Sequence, residues 1–230
     1  MSDVEKSSVA TASVIEPLIG SCFGIVILGA GASARMGRAK LLLPWGKSSI
    51  LGHLLAQWQA LHTGQIVVVV APGTTPVGAE LDRLGFPKEH RIVNPNPELG
   101  MFGSIQRAAG WESWRAGLSH WAIVLGDQPH LRASTLTALL KFAAPRSEEV
   151  VQPASSGRPR HPVILAKHVF GRLAASRADS LKSFLGETNA SRATLDIDDP
   201  GLDFDIDYPA DYDRAVKLYA PATAPTKPTE

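Results

Sequence analysis

The residues best equipped for chemistry lie in one short stretch, ILGAGASARMGRAKLLLPWGKS, at positions 27–48. It gathers four glycines, two arginines and two lysines directly after an apolar run that reads as a β-strand. Small residues at 29–32 let backbone N–H groups approach phosphate oxygens closely, forming an anion-binding nest. Arg35 offers a forked set of donors for phosphate oxygens, and Lys40 a mobile point charge. Further along, VLGDQPHL sets Asp127 just beyond another apolar run. A carboxylate there, facing a triphosphate, is a natural Mg2+ ligand, because Mg2+ favours one or two carboxylates plus phosphate oxygens and water. A run of aspartates, DFDIDYPADYDRA, follows at 203–215. If 203–207 is a strand, Asp203, Asp205 and Asp207 share one face, which is repulsive unless a cation or solvent meets them.

These groups need elements to position them. CFGIVILG, QIVVVVAP and HWAIVLGDQP are short, β-branched, continuously apolar runs, as expected of strands buried on both faces. Between the first two, SILGHLLAQWQAL places Ile50, Leu54, Leu55, Trp58 and Leu61 at helical spacing. Strand, helix and strand make a right-handed βαβ unit. The same pattern predicts helices in ELDRLGF, SIQRAAGWESWRAGL, ASTLTALLKFA and DSLKSFLGE. EVVQPA and HPVILA read as a strand pair joined by the turn SSGRPR, with late strands in ATLDI and LDFDIDYP and a closing helix from Pro209. The expected fold class is α/β: a single-domain, three-layer α/β/α sandwich with a mostly parallel, Rossmann-like mixed sheet. Asp127 then stands at the carboxyl edge of the strands, where open α/β sheets bind ligands.

Bulk properties bound the rest. The 230 residues suit one domain at 21–220, flanked by a Ser/Ala/Thr-rich tail at 1–20 and a Pro/Thr-rich tail at 221–230. A net charge of +1 gives no electrostatic case for nucleic acid or an anionic membrane. Cys22 is the only cysteine, which leaves no intrachain disulfide or cysteine zinc site and fits a cytoplasmic protein. The first residues lack the apolar core of a signal peptide, and no stretch approaches the roughly 18 apolar residues of a spanning helix.

Three phosphate-binding templates compete for 27–48. GAGASA fits the dinucleotide fingerprint, but the second strand ends VVVVAPGTT, with no acid to hold a ribose. GKS at 46–48 suggests a Walker loop, whose first glycine falls on Leu41; Lys47 and Ser48 read better as a turn and helix N-cap. The third template, L-x-x-G-x-S/G-x-R-M-G-x-x-K, takes Leu28, Gly31, Ser33, Arg35, Met36, Gly37 and Lys40 in register. On these residues the chain resembles the MobA-like nucleotidyltransferases, and within them the molybdenum-cofactor cytidylyltransferase branch.

The resemblance implies a fold of the nucleotide-diphospho-sugar transferase type. It also implies transfer of NMP from an NTP to a phosphate on a small acceptor, with release of pyrophosphate. Arg35, Lys40 and Asp127 would be catalytic, and Leu28, Gly29, Ala30, Gly31 and Ser33 would line the nucleotide. Asp127 of L-x-D-Q-P would hold Mg2+. The counterpart of D-I-D-T-P-E-D offers Asp207 as second ligand, with Asp205 the runner-up; Asp211 and Asp213 fit the start of a helix. NPNPELGMFGSIQRA resembles N-P-x-x-x-x-G-M-x-x-S-L and adds Asn94, Gly100 and Ser104 to the nucleotide set, Ser104 either capping a helix or meeting a phosphate. Trp111 and Trp114 beyond it read as core or interface residues.

GRPRHPVIL resembles G-x-x-G-H-P-V-x-F, so Arg158, Arg160 and His161 are acceptor candidates, with a solvated hairpin turn the alternative for the arginines. Arg160 replaces the usual glycine, and ASRADSLKSFL stands where the family often has G-D-x-G-A-R; both leave the acceptor's identity open. LGAG at 28–31 sides with the cytidylyl pattern at Ala30 and the guanylyl pattern at Leu28, leaning to CTP over GTP. Molybdopterin is the expected acceptor, with a molybdoenzyme as client. A sugar or polyol phosphate is the second reading, and a non-catalytic nucleotide-binding accessory for a molybdoenzyme the third.

Overall fold

The computed structural model describes residues 19–220 apart from Ala32. The expected tails at 1–20 and 221–230 lie outside the described residues, save Ile19 and Gly20.

The centre of the molecule is β1 (Phe23–Leu28), hydrogen-bonded in parallel to β4 (Gln65–Val70) and β6 (His120–Val124), with Val26 opposite Val67 and Ile123. These are the three apolar runs of the sequence. Each is covered on both faces, so backbone hydrogen bonds are satisfied sideways while side chains alternate between two cores. Phe23, Ile25 and Ile27 enter one core with Val68 and Val124; Val26, Val67 and Ile123 enter the other.

Among the described residues eight strands form one sheet, and two short strands, β2 (Pro44–Trp45) and β3 (Ser48–Ser49), pair separately. The remaining strands are β5 (Arg91–Val93), β7 (Glu149–Ser155), β8 (Arg158–Pro159), β9 (Val163–Ala166) and β10 (Ser191–Asp196). The order is β10-β7-β9-β6-β1-β4-β5, with β8 on β7. β9 runs antiparallel to both neighbours, and β10 runs parallel to β7.

Helices α1 (Ile50–Ala60), α2 (Pro76–Arg83), α4 (Ala133–Ala143) and α7 (Pro209–Tyr219) bury apolar side chains in the first core. α3 (Met101–Ala109), α5 (Lys167–Leu173) and α6 (Leu181–Glu187) pack into the second. The three-layer sandwich and its mixed, mostly parallel sheet are therefore as expected. α1 starts at Ser49, not Ser48: the Ser49 hydroxyl accepts from the Gly52 N–H at 3.0 Å, while Ser48 pairs with Trp45. No helix among the described residues is long and apolar enough to cross a membrane.

Two further expectations need correction. The helix expected over SIQRAAGWESWRAGL ends at Ala109, because Gly110 terminates it. Trp111 and Trp114 instead join an aromatic cluster, with Trp114 edge-on to Trp121 and Trp121 stacked on Phe170 at 4.6 Å. LDFDIDYP is not a strand. Pro200–Asp203 forms a 3-10 turn, and the chain then crosses the top of the sheet, where the Ile206 N–H donates to the Asp127 carbonyl at 3.0 Å.

Candidate active site

The carboxyl ends of β1, β4, β5 and β6 open onto one cleft of about 470 Å³. One wall is the loop after β1, with Leu28, Gly29, Gly31, Ser33, Arg35 and Lys40 lining it. The opposite wall carries Asp127 and Asp207, and Gly100 and Ser104 close the side. Ten of the residues singled out from the sequence thus meet around a single space.

The glycine-rich loop is folded by its own side chains. Ser33 sits at φ 50°, and its hydroxyl accepts the Lys40 N–H at 3.2 Å, folding 33–40 back on itself. Met36 and Leu41 anchor the loop in the core. Leu41 lies against Gly126, where an added Cβ would fall 2.5 Å from Leu41 Cδ2. Glycine at 126 is what lets the two walls approach.

Four charged side chains face one another. Lys40 Nζ lies 3.6 Å from Asp207 Oδ1 and 4.0 Å from Asp127 Oδ2, and Arg35 Nη1 donates to Asp207 Oδ2 at 2.9 Å. Arg35 is 63% exposed and lies over the Tyr208 ring; Lys40 is only 15% exposed. Asp127 is pushed up to about 6, chiefly by burial, with Lys40 opposing and the charges of Asp205 and Asp207 adding to the rise. Its Oδ1 is buried without a hydrogen-bond partner. An orphaned carboxylate oxygen beside a cleft is costly unless a cation comes to it. A divalent metal fits there. Among the described residues no group of three or more His, Cys, Asp or Glu forms a closed cage, so phosphate oxygens and water would complete the coordination.

The aspartate run resolves the repulsion expected of a strand by leaving the sheet. Asp203 turns to Ser155 and Arg160, Asp205 accepts from Gln128 Nε2 at 2.8 Å, and Asp207 takes Arg35 and Lys40. Asp211 accepts the Tyr208 and Asp207 N–H groups at the start of α7, the helix role expected of it.

Other candidates stand apart from the cleft. Ala30 is 7% exposed, packs into the second core and is not part of the cleft lining. The Gly29 N–H is spent on the Val69 carbonyl at 2.8 Å and is lost to the expected nest; Ala32 lies outside the described residues. Asn94 is buried, donating to Ser104 Oγ at 3.0 Å and accepting from the Asn96 N–H at 3.1 Å. It orients Ser104 and lies behind the lining. The acceptor trio does not assemble as a cationic site. Arg160 is paired with Asp203, Arg158 is exposed, and His161 lines a separate small void with Gln128. Burial holds His161 below the usual histidine range against the opposing charge of Asp205.

Sequence reasoning missed Gln128, and also Met101 and Val77 on the cleft wall. Gln128 had a local signal in GDQP and Met101 in the G-M of NPNPELGMFGSIQRA; Val77 had none.

What such a cleft can do is bounded by charge. Two cations opposite two carboxylates would suit a polyanionic nucleotide and its metal, the charge pattern that a nucleotidyltransferase needs. Residues 25–193 match the MobA-like NTP transferase domain, and the chain belongs to that family. It is 26% identical over 201 residues to the molybdenum cofactor cytidylyltransferase of Escherichia coli K12, covering 86% of this chain and 98% of that one. The solved Rv0371c homologue from Mycobacterium sp. strain JC1 is 25% identical with a TM-score of 0.70, over 86% of this chain and 96% of that one. Rv0371c from Mycobacterium tuberculosis H37Rv, solved as a manganese complex, shares the fold at 21% identity and TM-score 0.62, over 85% and 98% of the two chains.

Proposed function

We propose that this chain transfers CMP from CTP to the phosphate of a small acceptor, with Mg2+ as the working metal and molybdopterin as the acceptor. The observation that carries the reading is the facing of Arg35 and Lys40 with Asp127 and Asp207 across one cleft. The cytidylyl donor and the pterin acceptor are supported by the likeness to the Escherichia coli cytidylyltransferase. The metal is supported by the orphaned Asp127 oxygen and by the manganese complex of a structural neighbour.

In this reading Arg35 and Lys40 turn from Asp207 to the β- and γ-phosphates and offset the charge that builds on departing pyrophosphate. Asp127 and Asp207 would hold the metal, which would supply positive charge to offset that of the reacting phosphates. Ser104, steadied by Asn94, presents its hydroxyl to the nucleotide. The attacking group is a phosphate oxygen, already ionised near neutral pH, so the chain needs no general base. Binding and alignment do most of the work.

A second acceptor class keeps a place, because Arg160 is tied to Asp203 and the cationic acceptor site expected for molybdopterin is not assembled. The test is pyrophosphate release with each NTP, Mg2+ and a panel of molybdopterin, sugar phosphates and polyol phosphates. Release with CTP and molybdopterin is expected. Release only with another acceptor moves the assignment within the class, and none with any pair leaves a nucleotide-binding accessory.

A further inference from the structure

Asp199 is a buried carboxylate that the proposed reaction does not use. It is 3% exposed, does not line the cleft, and sits where the chain leaves β10 for the segment that carries Asp207. Its Oδ2 accepts from the Thr135 hydroxyl at 2.7 Å and the Arg132 N–H at 3.1 Å, and its Oδ1 from the Gly201 N–H at 3.0 Å. The Arg132 Nε lies 3.9 Å away. Arg132 and Thr135 open α4, the helix that ends the Asp127 loop. That helix has no side-chain cap of its own, since Arg132 holds the N-cap position and makes none. Its start is fixed instead by a carboxylate 67 residues further on.

Other contacts lock the same two segments. The Ile206 N–H donates to the Asp127 carbonyl at 3.0 Å, and His130 Nε2 lies 3.1 Å from the Gly201 carbonyl. A Cβ at Gly201 would fall 2.9 Å from His130 and 3.1 Å from Asp199, so the segments interlock without slack. We propose that Asp199 is a positioning residue: it sets the separation of Asp127 and Asp207, and through it the affinity of the pair for a divalent cation. The inference rests on the reading of those two aspartates as the metal carboxylates. Charge-assisted hydrogen bonds are roughly twice as strong as neutral ones, and outer partners that orient metal ligands change affinity by about 10- to 100-fold when removed.

The test compares full-length Thr135→Val, Thr135→Ser and Asp199→Asn with wild type, Mn2+ being the probe. Leu173→Ala, in the opposite core, serves as a control of matched stability loss. Mn2+ affinity is read by electron paramagnetic resonance, and amide exchange across 201–208 by mass spectrometry. The expected result is about tenfold weaker Mn2+ binding and faster exchange in Thr135→Val and Asp199→Asn. Thr135→Ser, which keeps the hydroxyl, should return both to wild type, and Leu173→Ala should change neither. Thr135→Val alone decides the matter if Asp199→Asn does not fold. Unchanged Mn2+ affinity with unchanged exchange overturns the proposal, as does an equal loss in Leu173→Ala. A wild-type chain that binds no Mn2+ even with a non-hydrolysable CTP analogue present sinks the metal reading instead. The tether is then judged by exchange alone: acceleration across 201–208 keeps it, and none removes it.

Discussion

The two walls of the cleft are held by different means. The wall after β1 presents exposed Arg35, Gly31 and Gly37; Lys40 is largely buried, and Arg35 reaches Asp207 through a solvent-facing ion pair. Such pairs contribute about 0–1 kcal/mol each. The wall bearing Asp127 and Asp207 is pinned by buried Asp199, whose hydrogen bonds to neutral donors contribute about 1.5–3 kcal/mol each. One wall can rearrange around a polyphosphate at little cost, while the other keeps two like charges close in spite of their repulsion. The difference assigns adaptation to the cations and fixed geometry to the carboxylates.

Asp127→Asn attacks the fixed wall where the effect should be largest. Turnover should fall by about 10³-fold or more, measured as pyrophosphate release. Stability should move the other way. Asp127 is raised in the folded chain from an ordinary 3.8 to about 6, so folding favours the neutral acid. The resulting penalty is absent below about pH 4, grows as pH rises and is complete above about pH 6, reaching up to about 3 kcal/mol. In metal-free buffer Asp127→Asn should therefore melt higher than wild type at pH 8 but not at pH 4. Equal melting temperatures at pH 8 would contradict the strain assigned to this carboxylate.

Lys40→Met removes, among the described residues, the cation that reaches both carboxylates, and kcat/KM should drop by about 10²-fold in steady-state assays. Gly126→Ala forces the walls apart at Leu41 and should cost about 1–3 kcal/mol by chemical denaturation. Because Leu41→Ala makes room for the new methyl, the second substitution should cost less in that background, and full additivity would mean that the two do not meet. The smallest effect belongs to the adaptable wall. Arg35→Ala should weaken CTP binding yet tighten nucleotide-free Mn2+ binding about two- to fivefold, since Asp207 loses an exposed partner. Weaker Mn2+ binding in that variant would show that Arg35 supports the metal site and does not compete with it.

The adaptable wall was also the more legible one. Gly31, Ser33, Arg35 and Lys40 lie within ten positions, so local spacing nearly determines where they go. β1, β4, β6, α1 and α4 were readable for a related reason: their apolar patterns are local and unbroken. The fixed wall depends on partners far apart in the chain. Nothing near Asp199 announces that its carboxylate serves Arg132 and Thr135, and alternation over 203–207 imitates a strand that no neighbouring strand accepts. The burial of Ala30 in the second core was illegible for a similar reason. Which face of the backbone meets the core is decided by β4 and α3 packing beside it, outside the motif itself.

The reversed direction of β9 has a consequence for how many segments can reach the cleft. A parallel strand delivers only its exit to the carboxyl edge, and its entry lies at the far side of the sheet. β9 runs the other way, with Val163 beside Ile123 and Ala166 beside His120. Its entry, residues 158–162, therefore arrives where β1, β4 and β6 leave. The inverted β9, entered through the short and likewise inverted β8, thus gives that edge a second kind of loop, a lead-in, whose sequence can vary without disturbing any crossover helix.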